Sequence, residues 1–219
     1  MAASGANNDR TGKGEVMRYF ILMTITMAML SAGRYDKVKI TPEIAYIYVY
    51  HKGKAVKIHR IQDTKNKLTG EYAKTYRPGQ DIQPVKINDQ VETIGEVELL
   101  QFLKEKVNKK KGLLVDLRNK TDYKKESIPG AVNIPFKTKN NHEKMEKILK
   151  VLGAKRMADG TLDATNARTV AFYCHGLWCG KSAEFIREFL KLGYPAEKIL
   201  YYRGGFQMWK ILGFTTVTN

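Results

Sequence analysis

The chain has 219 residues, including 38 lysines and arginines, 22 aspartates and glutamates and 2 cysteines, so its formal net charge is +16. Two cysteines exclude a disulfide-rich scaffold and an all-cysteine structural zinc site. With 43% hydrophobic and 27% charged residues, the composition is that of a folded globular protein. The positive charge predicts an anionic partner, which is nucleic acid, an acidic membrane surface, an acidic protein or a small anion.

The N-terminal segment has the pattern of a targeting sequence. Residues 1–16 are small and polar and predict a disordered leader. In residues 17–33, Arg18 precedes an apolar run from Tyr19 to Leu30, and small residues end the segment. This order predicts a signal peptide and therefore a periplasmic or secreted protein. A membrane anchor and a buried element of a cytoplasmic protein are the alternatives, although the run is shorter than the roughly 20 residues of a membrane span.

Residues 38–90 predict a β-rich N-terminal region. Ile44–Tyr50 is dense in β-branched and aromatic side chains, and Ala55–Ile61 alternates apolar and polar residues. The turn-forming residues His51–Lys54 lie between these two segments, which favours a β-hairpin. This region contains no motif that points to a reaction.

From residue 92 to residue 217 predicted strands alternate with predicted helices. The strands are Leu113–Leu117, Ala131–Ile134, Thr169–Tyr173 and Ile199–Tyr202. The helices are Ile94–Lys106, His142–Leu152, Ser182–Leu192 and Gly205–Leu212. The alternation predicts an α/β fold in which helices cover both faces of a parallel sheet.

The loop from Cys174 to Ser182 contains both cysteines of the chain. It joins the strand that ends at Tyr173 to a helix, which is the position where α/β sheets bind ligands. The free N–H groups and the dipole of a helix N-terminus stabilise an anion, and they lower the pKa of a thiol placed there. Lys181 adds a positive charge. The pattern therefore predicts a nucleophilic cysteine.

Two further motifs flank this loop. Val115–Arg118 together with Ile128–Pro135 resembles the first signature of the rhodanese family of sulfurtransferases. Tyr202–Lys210 together with Leu212–Phe214 resembles the second signature. The resemblance spans the whole α/β part and implies a rhodanese-like domain. In that family a strand-end cysteine takes a sulfane sulfur from an anionic donor such as thiosulfate and passes it to cyanide or to another thiol.

The resemblance implies that Cys174 is the nucleophile, with Cys179 and Lys181 as the other catalytic candidates. The substrate-binding candidates are the other loop residues and two charged residues of the first signature, namely His175, Gly176, Leu177, Trp178, Gly180, Ser182, Arg118 and Asp116. Asp116 and Arg118 are expected to tie the sheet to the site, with attraction of the donor as an alternative for Arg118. No metal and no cofactor is expected.

The loop departs from the usual family pattern, Cys-x-x-Gly-x-Arg-Ser. Lys181 follows Cys174 by seven positions, so the loop is two residues longer, and lysine lacks the planar fork with which arginine binds oxyanions. The sequence resembles a rhodanese-like subtype with the pattern Cys-x-Gly-x-x-Cys. The phosphatases that share this fold retain the arginine, so phosphatase activity is disfavoured.

The second cysteine leaves several roles open. In one role Cys179 attacks a persulfide on Cys174 and releases sulfide, and in another it pairs with Cys174 on oxidation. The remaining two are that Cys179 is itself the nucleophile and that it has no chemical role. A cysteine–histidine dyad with His175 is disfavoured because adjacent side chains rarely face each other. A metal site formed by these three residues is disfavoured because no fourth ligand is evident.

Three functions follow from these observations. The first is a sulfurtransferase with a small anionic sulfur donor and a thiol, protein or cyanide acceptor. The alternatives are a catalytically weak binding or assembly module and a thiol–disulfide redox protein. Residues 100–219 hold 23 basic and 11 acidic side chains, or +12 of the +16, so a small anion or an acidic protein is favoured over nucleic acid. A membrane is expected only if residues 19–30 are an uncleaved anchor.

Overall fold

The structure is a computed structural model that describes residues 37–78 and 80–219. The predicted leader and signal peptide, residues 1–33, lie outside the described residues. Within the described ranges, no helix combines the length and the apolar character that crossing a bilayer requires.

An antiparallel hairpin is formed by β1 (Tyr46–His51) and β2 (Lys54–His59). Lys52 and Gly53 between them both have positive φ, which is the conformation of a tight hairpin turn. Strands within the described part of the predicted β-rich region are confined to this hairpin. The remainder of that region is irregular apart from a single 3₁₀ turn at Gly70–Ala73.

The main sheet is parallel and has five strands. The strands after the hairpin are β3 (Glu92–Ile94), β4 (Gly112–Asp116), β5 (Ala131–Asn133), β6 (Lys155–Arg156), β7 (Leu162–Asp163), β8 (Thr169–Tyr173) and β9 (Ile199–Tyr202). The sheet order is β3-β9-β8-β4-β5, and β6 pairs with β7 as a separate antiparallel ribbon. The register places Asp116 of β4 opposite Tyr173 of β8. Both strands therefore end at the same edge of the sheet, where the cysteine loop follows β8.

Helices cover both faces of this sheet. They are α1 (Glu96–Phe102), α2 (Lys120–Lys125), α3 (His142–Val151), α4 (Lys181–Lys191) and α5 (Gly205–Ile211). A π-helical turn at Leu103–Val107 continues α1, and 3₁₀ turns lie at Phe136–Asn140 and Ala196–Lys198. The predicted α/β fold with a parallel sheet is confirmed. Helix α2 is an addition that the sequence patterns did not predict.

Two apolar layers pack against the sheet, because successive strand residues point to opposite faces. On one face Phe172 packs against Phe185 and Phe189 of α4. On the other face Tyr173 belongs to a cluster with α1, α5 and the inner face of the hairpin. The hairpin therefore completes the second layer of the same core.

Candidate active site

The cysteine loop is held by the N-terminus of α5. The backbone N–H groups of Phe206 and Gln207 donate to the carbonyl oxygens of Cys174 and His175, at 2.9 and 2.7 Å. Gly205 has a φ of +60°, and a Cβ atom there would lie 2.7 Å from the Cys174 carbonyl oxygen. The close approach of α5 to the loop therefore requires glycine at this position.

The two sulfur atoms lie in direct contact. Cys174 Sγ and Cys179 Sγ are 2.9 Å apart and hydrogen-bonded, and both cysteines are free thiols. Cys174 is 2% exposed and Cys179 is 7% exposed. The loop thus brings both thiols of the chain into one buried pair.

The surroundings of the two thiols push their pKa values in opposite directions. A hydrogen bond from the Cys174 thiol holds the pKa of Cys179 well below its usual range, and this effect outweighs that of burial. The backbone N–H groups of His175 and Lys181 act in the same direction. Burial, together with Cys179 as a neighbour, raises the pKa of Cys174 well above its usual range. Of the two thiols, Cys179 is therefore the one that ionises more readily.

His175 links this pair to a carboxylate. Its Nδ1 atom lies 3.2 Å from Cys174 Sγ and 3.7 Å from Cys179 Sγ, and its Nε2 atom lies 3.0 Å from Asp122 Oδ2. A carboxylate only accepts hydrogen bonds, so Nε2 donates and Nδ1 faces the sulfurs. The contact between Cys174 and His175 that the sequence disfavoured is thus present. The hydrogen bond to Asp122 fixes the orientation of the His175 ring.

The same three residues also form a set of soft metal donors. The sulfur and nitrogen atoms of Cys174, His175 and Cys179 lie within 4.8 Å of one another. Two thiolates on a tetrahedral zinc ion with Zn–S bonds of about 2.3 Å would be roughly 3.7 Å apart. The two sulfurs are 2.9 Å apart here, closer than that geometry would place them.

Asp116 and Arg118 form a buried ion pair beside the loop. The guanidinium of Arg118, which is 1% exposed, donates to both carboxylate oxygens of Asp116. It also donates to the carbonyl oxygen of Glu126 and to the hydroxyl of Tyr72, and Tyr173 donates to Asp116 at 2.7 Å. These bonds join the end of β4 to β8, to Tyr72 and to Glu126. The structural role expected for Asp116 and Arg118, and attraction of the donor by Arg118, stay predictions.

A segment that precedes the sheet lies across the loop. We call residues 70–78 and 80–84 the cover segment. The Arg77 guanidinium stacks 3.8 Å from the ring centre of Trp178 and pairs with Glu71. The N–H of Gln83 donates to the carbonyl oxygen of Leu177 at 2.8 Å. The cover segment therefore binds both the backbone and the indole of the loop.

A cavity of about 410 Å³ opens beside the pair, between the loop and the cover segment. Its lining residues are Glu71, Gln80, Asp81, Gln83, His175, Trp178, Cys179, Gly180 and Lys181. Among the described residues Cys179 lines this cavity and Cys174 does not. The carboxylates of Glu71 and Asp81 line this cavity together with Lys181. The charge around the cavity is therefore mixed, although the chain as a whole is basic.

The structure brings most of the candidate residues from the sequence together. Of these, Cys179, Lys181, His175, Trp178 and Gly180 line the cavity. Gly176 and Leu177 lie between the two cysteines of the loop. Cys174 and Ser182, at the two ends of the loop, are buried. Asp116 and Arg118 do not line this cavity.

The sequence patterns missed Asp122, Glu71 and Arg77. Asn119 caps α2, because its side-chain oxygen accepts from the Asp122 N–H at 2.8 Å. That local spacing signals a helix start. It carries no information that Asp122 meets His175, which lies 53 residues further along the chain.

Comparisons with known proteins identify one family. The sequence profile of the rhodanese-like domain family matches residues 99–212, just over half of the chain. A rhodanese-related protein from Thermoplasma volcanium is 22% identical, with 58% of this chain and 99% of that chain covered and a TM-score of 0.40. A thiosulfate sulfurtransferase from Pseudomonas aeruginosa is 17% identical, with 58% and 20% covered and a TM-score of 0.42. A rhodanese from E. coli with anions is 20% identical, with 49% and 99% covered and a TM-score of 0.32. A search of curated protein sequences found no match.

Proposed function

Because the chain belongs to the rhodanese-like domain family, we propose that it is a sulfurtransferase. It takes a sulfane sulfur from an anionic, thiosulfate-like donor, carries the sulfur as a cysteine persulfide in the loop, and passes it to a thiol or cyanide. The donor and the acceptor are part of this proposal. So is export of the protein, which the pattern of residues 17–33 supports.

The contact between the two thiols at the mouth of a cavity carries the proposal. The backbone N–H groups of His175 and Lys181 favour the ionised form of Cys179, and Cys179 Sγ lies 2.9 Å from Cys174 Sγ. A thiolate is the nucleophile in sulfur chemistry, and N–H groups at a helix start stabilise both the thiolate and the anions formed on it. Lys181 at the cavity adds a positive charge near the donor.

Sulfur uptake by the reduced full-length chain tests this function. We expect that incubation with thiosulfate adds the mass of a single sulfur atom or produces sulfite, and that added cyanide is turned into thiocyanate. The matched control is the double variant Cys174→Ser with Cys179→Ser, which has no thiol. Equal and negligible turnover of the wild type and the double variant, with several sulfane donors, would show that the chain is not a sulfurtransferase.

A thiol–disulfide redox protein is the second candidate, and the sulfur contact itself favours it. Two cysteines whose sulfurs already touch form a disulfide with little movement, and the low pKa of Cys179 suits a thiol that attacks disulfides. Reduction of a model disulfide in the presence of a thiol reductant, at a rate well above that of thiosulfate turnover, would favour this candidate.

A further inference from the structure

The two cysteines differ in their access to the cavity. Cys179 lines the cavity, whereas Cys174 lies beneath the loop at 2% exposure and is covered by Cys179 and the His175 ring. The His175 N–H favours the ionised form of both sulfurs, and the Lys181 N–H at the start of α4 also acts on Cys179. Cys179, the second cysteine of the loop, therefore lines the cavity and is the cysteine whose surroundings favour an anion.

We propose that Cys179, rather than Cys174, takes the sulfane sulfur from the donor, and that Cys174 then displaces this sulfur as sulfide. The chain would release sulfide in addition to passing sulfur to an acceptor. This inference deepens the proposed function and rests on it.

In the first step the Cys179 thiolate attacks the sulfane sulfur of the donor. With thiosulfate, a sulfur–sulfur bond forms to Cys179 and the bond between the two thiosulfate sulfurs breaks. The bonding pair leaves with sulfite, and Cys179 keeps a persulfide anion. The N–H groups around Cys179 stabilise this anion as they stabilise the thiolate.

In the second step Cys174 attacks the inner sulfur of that persulfide, which is Cys179 Sγ. A bond forms between the two cysteine sulfurs and the bond to the sulfane sulfur breaks, so that sulfur leaves with the bonding pair. The two cysteines are oxidised to a disulfide and the sulfane sulfur is reduced to sulfide, so no outside oxidant is needed. A thiol reductant returns the pair to its starting state.

His175 is placed to move the proton in this second step. Its Nδ1 atom lies 3.2 Å from Cys174 Sγ, so it can take the thiol proton as Cys174 attacks and give that proton to the leaving sulfide. The hydrogen bond from Nε2 to Asp122 holds the ring in the orientation this transfer requires. The attacking and attacked sulfurs are already in contact at 2.9 Å.

A single-turnover experiment on the reduced full-length chain, with thiosulfate and no added thiol, tests the inference. For the wild type we expect stoichiometric sulfite, stoichiometric sulfide and a Cys174–Cys179 disulfide in peptide maps. Cys174→Ser should release sulfite and retain a persulfide on Cys179 without forming sulfide. Cys179→Ser should release sulfite no faster than the variant without thiols. His175→Ala should slow sulfide release by about 100-fold, which is a usual contribution of a positioned acid–base group.

The outcomes separate this inference from the function on which it rests. If the wild type takes up no sulfur, the proposed function itself fails. If it takes up sulfur but holds it on Cys174, or if Cys179→Ser reacts at the wild-type rate, the function stands and the inference is overturned. Alkylation of the wild type at early times, followed by peptide mapping, locates the sulfur without any substitution and therefore does not depend on how the variants fold.

Discussion

The distinct states of the two thiols arise from groups that are a few ångströms away. Cys179 is next to the Cys174 thiol and to the backbone N–H groups of His175 and Lys181, which favour its charged form. Cys174 has lost its contact with water and has an anion as its neighbour, and both changes favour its neutral form. Two cysteines of one loop are therefore unequal in reactivity.

This difference predicts how alkylation depends on pH. The lowered pKa of Cys179 keeps it ionised at neutral and mildly acidic pH, so its labelling by iodoacetamide should change by less than about threefold between about pH 8 and pH 6. An ordinary thiol with a pKa near 8.5 would slow by roughly 80-fold over that range. Mass mapping identifies the labelled residue, and Cys179→Ser should remove the pH-insensitive reaction. A fall of about tenfold per pH unit for Cys179 would contradict the assignment of the thiolate.

At the scale of elements, the cover segment and the cysteine loop stabilise each other. The cover segment has little regular structure, so it depends on contacts with the domain to keep its position. Tyr72 packs edge-on against Phe206 and accepts a hydrogen bond from Arg118, and burial raises its pKa to about 12. Arg203 donates to the carbonyl oxygen of Gln83. These contacts fix both ends of the segment beside the cavity.

Loss of the Arg77 side chain should loosen the loop. Arg77 is 8% exposed at its side chain and stacks on Trp178, a contact of about 1 kcal/mol when partly desolvated. We expect Arg77→Ala to speed hydrogen exchange of the amides in residues 175–180 by roughly fivefold, the equivalent of that free energy. Lys74→Ala is the matched control, because Lys74 pairs with the same Glu71 but is 64% exposed. Equal exchange in the two variants would argue against a stabilising role for the stacking.

At the scale of the whole molecule, the hairpin is a structural part of the domain. Its inner residues Ile47, Val49 and Ile58 belong to the apolar layer that also contains Tyr173 and Trp209. Asn108, which follows the π-helical turn, accepts from the Tyr50 N–H and donates to the Tyr48 carbonyl oxygen. The hairpin should therefore unfold together with the sheet.

Truncation of Ile58 tests this cooperation. Ile58 is fully buried, so Ile58→Ala should lower the free energy of unfolding by about 2–4 kcal/mol through lost apolar contacts and the cavity that remains. Urea unfolding should show a single transition with a lower midpoint and an unchanged slope. Tyr50→Ala, on the exposed face of the same hairpin, should cost less than about 1 kcal/mol. An early separate transition in the Ile58 variant would mean that the hairpin unfolds independently.

Local sequence patterns are enough to predict the α/β order, the hairpin and the loop that contains both thiols. Each of these is encoded by neighbouring residues: the β-branched run of Thr169–Tyr173, the helical spacing of Ser182–Leu192, and the motifs on either side of the loop. Helix α2 was missed because six mostly polar residues have no apolar period for a sequence pattern to detect.

The identity of the groups that act on the thiols depends on contacts that form in the folded chain. The pairing of His175 with Asp122, the stacking of Arg77 on Trp178 and the cavity access of Cys179 join residues that are far apart in the chain or depend on loop geometry. Sheet register and helix packing set such contacts, and local periodicity carries no record of them. The sequence placed two thiols in one loop, and the fold made them chemically different.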